Sequence, residues 1–330
     1  MDLIIKPTQA CNFGCTFCSS NRITEGCATL PLKKLFTFLE ENDVRRIIVN
    51  GGDPLMMSPE YYWAIIRFLD EKDMPTTLSL TSNLWDFYLH PDKWVELFKH
   101  PRVGVCTSFQ YGEERRLRDG RVFTEELFRK VFQKFYEKVG YKLMFISVTT
   151  EANEDRVMDT VRLAKELGTQ CKINPAVKSG RAGAYYPFHK MCEKYLEIID
   201  AGLKDYEANA CELFKVYHHE KSCCPYCRTC YRTIRAMSPD GLVHSCGSFN
   251  DDHFVRKEAG LPTYCLQDTP EDKIKKDFRY LKPECLGCDL NNFCNSCFKR
   301  SVDILEAGQV EEHCKGMKKL KARIERTFKR

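Results

Sequence analysis

Cys11, Cys15 and Cys18 follow one another with the spacing C-x3-C-x2-C. Three thiolates on one loop can hold three corners of a cubic 4Fe-4S cluster and leave its fourth iron open to a small chelating ligand. A structural zinc site asks instead for four ligands, usually in paired C-x2-C knuckles. No second knuckle lies close by, so iron and sulfide are the preferred occupants. Zinc or three unrelated reduced thiols are the alternatives.

A second cysteine field, beyond residue 210, holds most of the nineteen cysteines. It runs Cys230-x10-Gly241-x4-Cys246, then Cys285-x2-Cys288-x5-Cys294-x2-Cys297, then Cys314, with Cys223, Cys224 and Cys227 just before it. Eight such thiols suit two four-sulfur sites, and C-x2-C pairs serve zinc as readily as iron-sulfur clusters. Between the two fields, Gly51-Gly52-Asp53-Pro54 follows an apolar run, and paired glycines let a ligand approach the backbone closely.

The N-terminal triplet, with Phe17 before its last cysteine, and the glycine segment together resemble the radical S-adenosylmethionine (radical SAM) family. The resemblance implies that the open iron takes the amino and carboxylate groups of SAM, which is reductively cleaved to a deoxyadenosyl radical. Gly51, Gly52, Asp53 and Pro54 are similar to the family's Gly-Gly-Glu-Pro segment, which contacts the SAM amino group, with a shorter acid here. Ser108 opens a segment that looks like the family's Ser-Ile-Asp-Gly, whose serine faces the SAM ribose or carboxylate. Arg118 falls where an arginine commonly pairs with that carboxylate, and Arg115, Arg116 and Arg121 are its neighbours in register. Ser82, within Thr81-Ser82-Asn83 at the end of the third strand, is expected to point into the same cleft, and Asn174-Pro175 and Gly180-Arg181-Ala182, which end the sixth, resemble a segment common in SPASM proteins.

The second field resembles the SPASM extension of radical SAM maturases, with two residues instead of three between the last cysteines of its central group. What this implies is two auxiliary 4Fe-4S clusters, three clusters in all. The first would use Cys224, Cys230, Cys246 and Cys297, and the second Cys285, Cys288, Cys294 and Cys314. Spacing does not choose among Cys223, Cys224 and Cys227. The chain is similar to anaerobic sulfatase-maturating enzymes, but Gly247 stands after Cys246 where those carry a base aspartate. Asp240, Asp251, Asp252, His244 and Tyr231 are nearby in sequence, and no catalytic residue is assigned.

The function expected from the resemblance is a radical SAM oxidoreductase that oxidises or crosslinks a peptide or protein side chain, fed by a flavodoxin- or ferredoxin-type reductant. The cluster motif begins ten residues from the start, which is read as leaving no N-terminal recognition domain; recognition would then come from a separate protein. The alternatives are dehydrogenation of a small molecule such as an aminocyclitol, a cysteine-rich zinc protein that binds a partner and catalyses nothing, and an electron carrier.

Strand-like and helix-like segments that could position these residues alternate through the first two hundred residues. Strands are expected at 3–5, 45–49, 76–81, 103–109, 143–150 and 171–174. Helices are expected at 32–41, 59–71 with Ser58 as N-cap, 91–99, 124–139, 155–167 ended by Gly168, and 187–203. Six βα units fall short of a closed eight-fold barrel. The fold class is therefore α/β: a partial (β/α)6 TIM-like barrel over 1–205, followed by a small cysteine-rich SPASM-like domain over 206–330. Residues 251–272 read as a loop or insertion, and the basic tail 315–330 as a solvated helix face.

Composition narrows the classes further. A 43% hydrophobic content over 330 residues supports a packed core, and a net charge of +5 demands no polyanionic partner, so nucleic acid is not expected. No apolar run approaches the ~20 residues of a membrane span. Nineteen cysteines in a large chain without a signal peptide point to a reducing cytoplasm rather than to disulfides. Cys27, Cys106, Cys171, Cys192, Cys211 and Cys265 fit no pattern and are read as buried reduced thiols. His218 and His219 are read as a polar surface pair.

Overall fold

The structure, a computed structural model, describes residues 1–19, 28–218, 220, 224–227, 230–270, 273–274, 281–294 and 296–329. Six strands run parallel in sequence order: β1 (Asp2–Ile5), β2 (Arg46–Val49), β3 (Thr77–Thr81), β4 (Val103–Ser108), β5 (Met144–Thr149) and β6 (Cys171–Pro175). The connections carry α1 (Leu32–Glu41), α2 (Pro59–Glu71), α3 (Trp85–Leu89), α4 (Val95–Lys99), α5 (Glu125–Val139) and α6 (Val157–Leu167). The partial barrel expected from the sequence is present.

Strand periodicity sets what faces the concave side. Leu78 and Leu80 on β3, Phe145 on β5 and Ile173 on β6 are buried. Their alternate neighbours Thr81, Ile146, Val148, Lys172 and Asn174, with Ser108 on β4, line the cleft. On the outer face, α5 buries Phe128, Val131, Phe132, Phe135 and Val139, a helical stripe. Thr124 Oγ1 caps this helix by accepting from Leu127 N, and Gly140 ends it at φ +100°, a left-handed position glycine adopts without a Cβ clash.

The helix expected over 91–99 is divided into a 3-10 turn, Pro91–Lys93, and α4. Trp94 lies between them, fully buried, its indole N–H donating to Asp86 at 2.7 Å. Core burial of the tryptophan and its need for an acceptor outweigh helix continuity there. Ser58 holds the N-cap position of α2, but its side chain makes no capping bond.

Beyond α7 (Phe188–Asp200) the chain departs further from expectation. α8 (Ala208–Tyr217) packs on β6, and Glu207, fully buried, binds both: its carboxylate accepts from Ile173 N at 2.8 Å and from Ala210 N at 2.5 Å. Burial pushes this carboxyl up to about 7 against the pull of those N–H groups. After α9 (Cys230–Thr233), β7 (Ile234–Met237) adds to the sheet parallel to β1, and β8 (Val243–His244) pairs antiparallel to β7. The eight-stranded order is β6-β5-β4-β3-β2-β1-β7-β8. A buried ion pair ties the two regions: Lys6 Nζ lies 2.6 Å from Asp251 Oδ2 and donates to Gly247 O at 2.8 Å.

Residues 251–272, expected to be a loop, contain α10 (His253–Glu258). Later described helices include α11 (Asn291–Cys294), α12 (Phe298–Glu306) and α13 (Val310–Phe328). The basic tail is therefore not simply a solvated face. Met317, Ile324, Thr327 and Phe328 of α13 are buried, and Arg323 bridges to Asp200 of α7 at 3.1 Å. A lysine-rich composition hid an apolar stripe at helical spacing.

Candidate functional site

The N-terminal triplet sits on the loop leaving β1. Gly52 N donates to Thr8 O at 3.0 Å and Asp53 N to Ala10 O at 2.8 Å, so the glycine segment after β2 clamps this loop from one side. The contact leaves no room for a side chain: a Cβ on Gly52 would fall 2.0 Å from Ala10 O. From the other side, Gly14 N and Thr16 N donate to Arg116 O and Glu114 O. Gly180, at φ +61°, presses on Ser19 O, and Arg181 N donates to Cys18 O at 2.9 Å.

All three cysteines line one cavity of about 420 Å³ at the C-terminal ends of the strands. Phe17, Gly51, Gly52, Asp53, Ser82 and Ser108 share its wall. Pro54 lies one step behind it and opens a short 3-10 turn, its carbonyl accepting from Tyr62 Oη at 2.7 Å. Arg118 is not brought to the cavity; it is exposed on a turn. Arg115 is the arginine that turns inward. It is buried between the rings of Phe13 and Phe123, at 5.1 and 5.5 Å, and donates through Nη2 to Ser108 Oγ at 2.8 Å. Two flanking aromatic rings attract a guanidinium and fix its plane, which an exposed turn cannot do.

Asp53 is engaged more inwardly than expected. Its carboxylate accepts from Leu55 N at 2.9 Å, Ser82 Oγ at 2.9 Å and Asn83 N at 2.7 Å. Burial pushes its carboxyl up to about 6 despite these donors. The acid thus joins the end of β2 to the end of β3 and orients Asn83, whose Nδ2 donates to Asn12 Oδ1 at 2.7 Å in the cluster loop.

Three buried polar atoms on the same wall have no hydrogen-bond partner among the described residues: Asn50 Oδ1, Gln110 Nε2 and Arg115 Nε. Buried orphans are costly. Their convergence beside three thiols fits a polar ligand with both charge signs held next to a sulfur-ligated cluster. On this ground the residues present suit SAM and a 4Fe-4S group.

The second cysteine field divides in space. Cys224, Cys246 and Cys297 line the same cavity as the N-terminal triplet. Burial, then the proximity of Cys246, Cys297, Cys224 and Cys227, holds the Cys230 thiol well above its ordinary range. Cys224 and Cys227 therefore both approach Cys230, and Cys223 lies outside the described residues. Cys285, Cys288, Cys294 and Cys314 line a separate cavity of about 480 Å³. Burial pushes the Cys294 thiol up to about 12, with the other three cysteines of the set adding to it. Two sets of four or more sulfurs are thus gathered, a donor set suited to clusters or zinc.

Of the remaining cysteines, Cys171, Cys192 and Cys265 are buried and Cys106 and Cys211 half-buried, all with free thiols; Cys27 lies outside the described residues. His218 is exposed, as a surface position requires, with its Nε2 3.1 Å from Phe328 O at the edge of α13, and His219 lies outside the described residues. Asp251 is taken by Lys6, Asp252 accepts from Gly180 N at 2.9 Å, and Asp240 closes a turn through Leu242 N at 2.9 Å.

The polar residues on the wall that sequence reasoning missed are Gln110, Lys172, Lys299, Arg300 and Asp303. Lys299 and Asp303, both buried, pair one turn apart on α12, and Lys299 Nζ donates to Lys178 O at 2.8 Å. Burial pushes Asp303 up to about 6, with Lys299 opposing. A Lys-x3-Asp pair in Phe298–Glu306 was the available signal, had that segment been read as a helix.

The model of the Radical SAM superfamily matches residues 5–180. A GTP 3',8-cyclase from Staphylococcus carnosus is 22% identical over 308 residues, spanning 85% of this chain and 86% of that protein. Native anSMEcpe with bound AdoMet, an anaerobic sulfatase-maturating enzyme, superposes with a TM-score of 0.74 at 16% identity, covering 99% of this chain and 96% of that one. Streptococcus suis SuiB bound to its precursor peptide SuiA gives 0.60 at 17% identity, covering 89% and 70%. Among the described residues no helix is long and apolar enough to cross a membrane. With a family match over more than half its length and a partial barrel that presents Cys11, Cys15 and Cys18 to a single cavity, the chain belongs to the radical SAM superfamily.

Proposed function

We propose that the protein is a SPASM-type radical SAM oxidoreductase that removes hydrogen from a peptide or protein side chain and leaves it oxidised or crosslinked. The observation that carries this reading is one shared cavity: the triplet and three thiols of the first auxiliary set face the same space. The precursor peptide on SuiB and the Cp18Cys peptide on anSMEcpe support a peptide as the substrate class. A flavodoxin- or ferredoxin-type donor in a reducing cytoplasm, with a separate protein for substrate recognition, completes the proposal.

Cys11, Cys15 and Cys18 would hold the SAM-binding cluster, and the two other cysteine sets the auxiliary ones; bound, these groups supply a strong hydrogen-atom acceptor and sinks for one further electron. The chain's own residues bind, orient and deprotonate. Arg115, Asn50 and Gln110 offer unpartnered donors and an acceptor for the polar ends of SAM. Phe13, Phe17 and the strand residues Ile146 and Val148 keep water from the wall. A carbon that has lost a hydrogen atom and an electron must still release a proton. Asp303 lines the cavity paired to Lys299, its carboxyl raised by burial, and is the acid placed to take that proton where Gly247 offers none.

The test is anaerobic reconstitution, reduction with dithionite, and measurement of SAM cleavage, followed by mass spectrometry of peptides encoded by adjacent short genes. Loss of hydrogens from a side chain, with SAM cleaved in proportion, is the expected result. A small anionic substrate is the second reading, favoured by Lys172, Lys299 and Arg300 on the wall. Peptides left unchanged while a phosphorylated small molecule is dehydrogenated would establish it.

The arginines separate cleanly. Arg115→Ala should weaken SAM binding by about 10- to 100-fold, the value of roughly 1.5–3 kcal/mol for a hydrogen bond to a charged group. Arg118→Ala should leave it unchanged. Equilibrium binding of SAM to the reconstituted proteins, normalised to iron content, reads both.

A further inference from the structure

Outside the cleft, three ligand-type side chains converge at the far edge of the sheet. His244 ends β8, His253 opens α10, and Cys265 sits on the returning segment, bridged to His244 in antiparallel fashion. All three are buried, and one ligating atom from each lies within 4.8 Å of the other two. We propose that His244, His253 and Cys265 form a third kind of metal site, a mononuclear zinc centre separate from the cysteine sets of the clusters.

The ring nitrogens carry the argument. His244 Nε2 and His253 Nδ1 stand 3.3 Å apart. Two nitrogens bound to one tetrahedral zinc at 2.0–2.1 Å are separated by about 3.3–3.4 Å, so the rings already hold the edge of such a tetrahedron.

Cys265 supplies the sulfur; as a free thiol it donates to Gln267 Oε1 at 2.9 Å. Behind His253, the outer nitrogen Nε2 lies 4.0 Å from Asp268 Oδ2. Asp268 is held in place by Thr263 and Thr269, whose hydroxyls donate to its Oδ1 at 2.6 and 3.1 Å. The 4.0 Å separation from His253 is longer than a hydrogen bond, but it sets a carboxylate on the side of the ring from which ligating imidazoles are usually supported. Two imidazoles and one thiolate in tetrahedral reach are a donor set that suits zinc, with water as the fourth ligand. The centre would staple residues 251–268 onto β8, two residues before Cys246.

The experiment uses the iron-loaded holoprotein supplied with one equivalent of Zn(II), then desalted. One zinc per chain should remain beside the iron, and zinc-edge X-ray absorption should show one sulfur at ~2.3 Å with two nitrogens at ~2.0–2.1 Å. His253→Gln and Cys265→Ser should each lose the zinc and keep the iron. No retained zinc, a sulfur-only shell, or zinc undiminished in both variants overturns the proposal. If both variants lose iron as well, the wild-type absorption spectrum decides, since it reads the ligand set directly.

Discussion

Replacing Cys11, Cys15 and Cys18 together by alanine should lower the iron content of the reconstituted protein from about twelve to about eight per chain and abolish reductive SAM cleavage. The loss should be complete because no other group in the cavity can take over. The neighbouring thiols Cys224, Cys246 and Cys297 belong to a different set, and the loop bearing the triplet is held by the backbone of residues 8, 10, 52 and 53 rather than by its cysteines. The loop should therefore survive the substitutions, and circular dichroism should stay as in the wild type. Iron falling from about four to none would leave the C-terminal thiols to zinc and remove the proposed electron sinks. Iron unchanged, with cleavage retained, would refute the assignment of the triplet.

The variant is sharper than a test of Asp53, whose carboxylate organises Ser82, Asn83 and Leu55. Any substitution there disturbs the ends of two strands at once. Its effect on SAM would not separate contact from positioning.

The barrel was readable in the sequence because its strands are apolar, bounded by turn residues and separated by amphipathic helices, so each local signal agreed with the global one. The triplet and the glycine segment were readable because few residue types can do what they do. A Cβ at Gly52 meets Ala10 O, whatever the side chain beyond it. Spacing left Arg115, Arg116, Arg118 and Arg121 open, and only the fold places Arg115 on the cavity wall, because the turn at 116–122 folds back on itself with Arg116 bridged to Val122. β7 was missed for a different reason: Ile-Arg-Ala-Met is four residues long and gains its strand state from pairing with β1, more than two hundred residues away. Propensity is weak for such a segment, and tertiary pairing decides. The same holds for His244, His253 and Cys265, which mean little apart and converge only when β8 and α10 are placed.

The two auxiliary sets should not behave alike. Cys230→Ala with Cys246→Ala should remove about four irons and leave SAM cleavage intact, but product formed per SAM cleaved should fall by about 100-fold or more, which requires only ~3 kcal/mol added to the oxidation barrier. The reason is position: this set shares the cavity wall with the triplet, so a substrate radical formed there lies beside it. Cys285→Ala with Cys314→Ala should also remove about four irons, yet with a smaller loss of product, because those thiols line a separate cavity between α11 and α13. Within the first set, single Cys224→Ala and Cys227→Ala variants identify the remaining ligand, since only the true one should cost the cluster its stability to anaerobic desalting. Equal loss of product from both double variants would mean that the second set relays the electron from the first. No loss from either would mean that the oxidising step bypasses the C-terminal thiols, and that SAM is the only oxidant the protein employs.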